Sequence, residues 1–87
     1  MILDILNSKL NNKVGILICG HGSRNKLAIH EFQELTKLIQ QRYPSILVEY
    51  GFLEFAKPSL IEALDKLKNN SIKKVIAIPA MLLLQAT

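Results

Sequence analysis

Three features of the sequence predict a small three-layer αβα domain, with helices on both faces of a parallel sheet in the order β-α-β-α-β. Three apolar runs rich in branched residues, Val14–Cys19, Ile46–Leu53 and Lys74–Pro79, are separated by two stretches of helical spacing. The runs are nearly continuous in apolar side chains, as in strands covered on both faces. The connections are short, which suits right-handed crossovers between parallel strands.

Each element has its own signal. Ile2, Leu3, Ile5, Leu6 and Leu10 fall near helical spacing before Asn11-Asn12, which predicts a short amphipathic lead-in helix. Val14–Cys19 reads as a central strand that ends in the loop Gly20-His21-Gly22-Ser23. From Lys26 to Arg42, Ala28, Phe32, Leu35, Leu38 and Ile39 recur every three or four residues, predicting a helix of about four turns. Ser23 or Asn25 is placed to cap its start, and Pro44 stops it. Ile46–Leu53 reads as the second strand, with Gly51 marking a bulge or a close backbone approach. Ser59-Leu60-Ile61-Glu62 has capping-box spacing, and Leu60, Ala63, Leu64 and Leu67 carry a second helix to Asn69-Asn70. Lys74–Pro79 is the third strand, and the apolar run continues through Leu84.

Composition narrows the class. The 87 residues make a single domain, and 49% apolar with 21% charged residues is a globular balance rather than a disordered one. The net charge of +4 is a modest bias that suits an acidic small molecule, a nucleic acid or no particular partner. Lys66, Lys68, Lys73 and Lys74 have no aromatics between them, so they read as a solvated surface and no nucleic-acid partner is expected. No basic leader precedes an apolar core at the N-terminus, and Val75–Leu84 is far shorter than the roughly 20 residues that cross a bilayer. A soluble cytoplasmic protein with no membrane partner is the expectation. The single cysteine, Cys19, excludes an internal disulfide and reads as a buried, inert thiol.

Ligands of parallel sheets bind beyond the carboxyl ends of the strands. His21, Glu54 and the segment after Pro79 all lie there. A histidine between two glycines is an unusual turn residue, because the flanking glycines bend the chain and clear space around the imidazole. Neutral imidazole ligates borderline metals and accepts protons near neutral pH. Free N–H groups at the start of the first helix would face the same cleft. Glu54 has the alternative of simple solvation, Arg24 that of a surface ion pair, and His30 reads as a surface or packing residue. Ser23 has no triad partners in view, and the loop lacks the spacing of G-x-G-x-x-G or of a P-loop.

Gly20-His21-Gly22-Ser23-Arg24, followed by Gly51-Phe52-Leu53-Glu54-Phe55-Ala56-Lys57-Pro58-Ser59-Leu60 and by a strand ending at Pro79, resembles the CbiX-type sirohydrochlorin chelatases, class II tetrapyrrole chelatases. The resemblance covers residues 13–84 and makes the chain a chelatase-like half domain. It implies ATP-independent insertion of a divalent metal, cobalt first and Fe2+ or Ni2+ in relatives, into a sirohydrochlorin-like macrocycle of cobalamin or siroheme biosynthesis. His21 and Glu54 would be the catalytic and metal-binding residues. Gly22, Ser23 and Arg24 would meet the tetrapyrrole, with Arg24 and nearby lysines holding its peripheral carboxylates.

One departure qualifies that expectation. Family members usually carry a second active-site histidine about eight residues beyond the strand-ending proline; here that place falls near Thr87, and no histidine follows His30. The domain at 1–87 is therefore expected to be incomplete at its C-terminus. It would be either a piece of a chelatase completed by a further segment, or a non-catalytic metal- or tetrapyrrole-binding module, a vestigial subunit. A thin three-stranded sheet with apolar surface to cover also predicts a dimer or other homo-oligomer.

Overall fold

The computed structural model describes residues 14–81. Strand β1 (Val14–Gly20), helix α1 (Lys26–Arg42), strand β2 (Leu47–Phe52), helix α2 (Leu60–Asn69) and strand β3 (Lys74–Pro79) follow in the expected order. The lead-in helix expected before Asn11 and the apolar run beyond Met81 lie outside the described residues. The three strands form one parallel sheet in the order β2-β1-β3. Because β2 and β3 flank β1 on opposite sides, two right-handed crossovers place α1 and α2 on opposite faces.

Strand alternation divides the core in two. On the α1 face Ile16, Ile18, Ile46 and Val48 are buried and meet Phe32 and Ile39 of the helix. On the α2 face Leu17 meets Ala63 and Leu67. Helix α2 packs on β2 and β1, so Val75, Ala77 and Pro79 stay exposed on the same face of the edge strand β3.

Several local expectations shift. Leu38, placed in the apolar stripe of α1 by spacing, is 63% exposed, and Ala28 is exposed as well. Thr36 takes the buried position one turn after Phe32, at the cost of sinking a hydroxyl. That hydroxyl donates to the Phe32 carbonyl at 3.1 Å, so no polar group is orphaned. Gln40 is half-buried. Its amide donates to the Tyr43 and Ile46 carbonyls at 3.1 and 2.7 Å and accepts from the Val48 N–H at 2.9 Å. A single side chain thus satisfies the backbone of the turn from α1 into β2.

Helix α2 starts as its sequence predicts: the Ser59 hydroxyl accepts from the Glu62 N–H, and the Glu62 carboxylate accepts from the Ser59 N–H. At Gly51 the reason is close approach, not a bulge. The register with Cys19 is unbroken, and an added Cβ would press on the Ser59 carbonyl and the Leu60 Cα.

Candidate functional site

The carboxyl end of the sheet is built by two loops that run together. Regular strand geometry in β2 ends at Phe52, one residue before the expected end. Pairing with β1 nevertheless continues: Leu53 N–H donates to the Gly20 carbonyl at 2.9 Å, and Glu54 N–H to the His21 carbonyl at 3.0 Å. Gly22 makes this approach possible. Its φ of +111° disfavours an L side chain, and an added Cβ would collide with the Glu54 carbonyl oxygen. From the other side, Phe52 N–H donates to the Pro58 carbonyl at 2.9 Å, closing the loop that carries Glu54.

The two side chains then meet. His21 Nε2 lies 3.1 Å from Glu54 Oε1, with the side chains 72% and 49% exposed. That separation suits a hydrogen bond, and it also suits shared ligation. With metal–ligand bonds of about 2.1 Å, adjacent donors stand about 3.0 Å apart in an octahedral ion and about 3.4 Å apart in a tetrahedral one. Among the described residues no group of three or more His, Cys, Asp or Glu side chains comes together as a metal cluster.

Phe32 and Phe52 line a recess beside His21. The Phe32 ring packs on Phe52 at 4.8 Å and on Tyr50 at 5.8 Å between centroids. Tyr50 keeps its hydroxyl satisfied by accepting from Gln33 at 3.1 Å. His21 itself borders two shallow recesses, one of about 200 Å³ with Gly22, Ser23 and Phe32, the other of about 360 Å³ with Cys19, Leu53, Pro79 and Met81. Cys19 is only half-buried, and its thiol donates to the Leu17 carbonyl. Burial pushes that thiol's pKa up, away from thiolate chemistry. A roomier cleft, about 580 Å³, lies at the opposite end of the sheet among Gln40, Pro44, Ile46 and Asn70, and none of the described residues lining it is titratable.

The start of α1 is less free than expected. Asn25, rather than Ser23, is the cap; its side chain accepts from the N–H groups of Leu27 and Ala28 at 2.9 and 3.3 Å. Those two donors are therefore spent inside the protein and are not open to an anion. Ser23 supports the cap, its hydroxyl oxygen accepting from the Asn25 N–H at 3.0 Å. His30 pairs at 3.7 Å with Glu34 one helical turn on, as a surface residue does.

Arg24 reaches across the loops. Its guanidinium carbon lies 4.6 Å from the centroid of the Phe55 ring. Phe55, 55% exposed, holds a φ of +68°. The sequence does not single out Phe55: no periodicity marks an exposed aromatic in a loop, and its left-handed backbone is one usually taken by Gly or Asn.

Residues 15–85 match the CbiX family model. A sirohydrochlorin cobaltochelatase from Methanococcoides burtonii is 33% identical over 73 residues, covering 84% of this chain and 56% of the relative. One from Sulfurisphaera tokodaii is 37% identical over 71 residues, covering 77% and 54%. The chain thus spans about half the length of these curated relatives. Among solved structures, a CbiX protein of cobalamin (vitamin B12) biosynthesis from Marinobacter aquaeolei VT8 has the same fold, with a TM-score of 0.66 at 20% identity over 76% of this chain and 52% of that one.

Proposed function

The chain belongs to the CbiX family, and from that premise we propose that it is a half-site of a tetrapyrrole chelatase, binding a divalent metal and a tetrapyrrole without turning them over on its own. The observation that carries this reading is the His21–Glu54 pair at 3.1 Å, one donor from each loop at the carboxyl end of the sheet. An imidazole and a carboxylate give an incoming ion two of its four to six ligands. The ion is substrate here, Co2+ in first place, with Fe2+ and Ni2+ compatible with the same donors. No nucleotide takes part in the proposed function.

Catalysis asks more than binding. The ion must lose its waters, and two pyrrole N–H protons must leave as it enters the ring. His21 and Glu54 can hold the ion or accept protons, but two groups do not supply both roles at once on opposite faces of a macrocycle. A second copy of the chain or a complementary chelatase segment would provide the remainder. Among the described residues no helix is long and apolar enough to cross a membrane, and we place the protein in the cytoplasm with no nucleic-acid partner.

The relatives' activity favours a second reading, in which the chain inserts cobalt into sirohydrochlorin itself. A cobalt-insertion assay, followed by the visible absorbance of sirohydrochlorin, separates the two. The half-site reading expects binding of sirohydrochlorin without catalytic turnover. Multiple turnovers by the isolated chain would replace it with the enzymatic reading.

A further inference from the structure

The geometry points to Phe55 as a binding residue of this same site: its ring, with the Arg24 guanidinium held over it, forms a platform for the edge of an anionic tetrapyrrole beside His21 and Glu54. The assignment rests on the tetrapyrrole reading proposed above and adds to it the residue that meets the ring system.

Four observations converge. Phe55 directly follows Glu54, and Arg24 lies three residues after His21, so the contact joins the two loops that carry the metal-ligating pair. The Arg24 carbon sits 4.6 Å from the ring centroid, a cation–π contact. A cation–π contact uses no hydrogen-bond acceptor, so the guanidinium N–H groups keep their capacity for bidentate binding of a carboxylate. Among the described residues no carboxylate is paired with Arg24.

The third observation is exposure: a Phe left 55% exposed at a loop tip gains little for folding. The fourth is conformation, since φ +68° is an unfavourable backbone for a bulky side chain. Strain of this kind persists at ligand-binding segments, where a side chain must be aimed. A planar, polycarboxylate macrocycle matches both halves of the contact: apolar π surface for the phenyl, peripheral carboxylates for the guanidinium.

The test uses the full chain with two separate titrations, sirohydrochlorin followed by its absorbance and Co2+ alone. Phe55→Gly relieves the backbone while removing the ring. Its thermal midpoint should equal or exceed that of the wild type, its Co2+ affinity should be unchanged, and its affinity for sirohydrochlorin should fall about tenfold, the size expected for one lost stacking contact. Phe55→Leu keeps an apolar side chain but no π face and should also bind sirohydrochlorin more weakly. Wild-type protein that binds sirohydrochlorin, with both variants within about twofold of it, would overturn the assignment alone. Wild-type protein that binds none would overturn the tetrapyrrole reading and this assignment with it.

Discussion

His21 and Glu54, 33 positions apart in the sequence, are brought to 3.1 Å because their loops are hydrogen-bonded to each other backbone to backbone. The pair is a product of the parallel register. Gly20 and Phe52 face each other as the last paired residues of β1 and β2, and Leu53 and Glu54 carry the pairing on by donating to the Gly20 and His21 carbonyls. Chemistry at this point depends on the fit of one loop against the other.

Gly22→Ala tests that dependence. The new methyl group meets the Glu54 carbonyl and an unfavourable φ. A stability loss of about 1–3 kcal/mol is expected in urea denaturation. Co2+ affinity should fall as well, because relief of the collision separates the loops. An Ala variant with unchanged stability and metal affinity would show that the loop contact does not set the site.

Gln40→Ala should destabilise the protein without touching the site. It leaves the Val48 N–H and the Ile46 carbonyl, both of buried residues, without their side-chain partner. A loss of about 1–3 kcal/mol follows from leaving buried backbone groups unsatisfied. Denaturant unfolding measures it, and Co2+ binding to the folded variant should match the wild type.

The capping box of α2 predicts a pH dependence. Hydrogen bonds from the Ser59 backbone and side chain, ahead of the charges of Lys57 and Lys66, hold the Glu62 carboxyl below the ordinary carboxylate range. A depressed folded-state pKa means that the unfolded chain binds the proton first. The Glu62 contribution is therefore present above the unfolded pKa of about 4.3 and is lost as pH falls through the lower folded value. Thermal melts from neutral pH down through this range should show a smaller acid loss for Glu62→Gln than for the wild type. Identical pH profiles would remove Glu62 from the cap.

The sequence makes much of this architecture readable, and the reasons are local. Continuous apolar runs reveal strands buried on both faces, so the positions of His21 and Glu54 at strand ends follow from the strands themselves. Ser59 and Glu62 announce the start of α2 because a capping box is encoded within four residues. What spacing leaves open depends on reach and rotation. Ser23 and Asn25 are equally plausible caps in sequence, and only the observed loop puts the Asn25 side chain against Leu27 and Ala28. Leu38 satisfies helical spacing but points off the sheet, since the buried arc of α1 is set by Phe32, Thr36 and Ile39. Gln40 and Phe55 are illegible for a common reason: each acts through partners beyond its own element's periodicity.

His21 and Glu54 are proposed to form one divalent-metal site, and Co2+ titration tests this most directly. Cobalt absorbance should saturate with the wild-type chain as a single site, and His21→Ala and Glu54→Gln should each weaken binding about tenfold or more, with folding verified by circular dichroism. Co2+ affinity unchanged in folded His21→Ala would contradict the account.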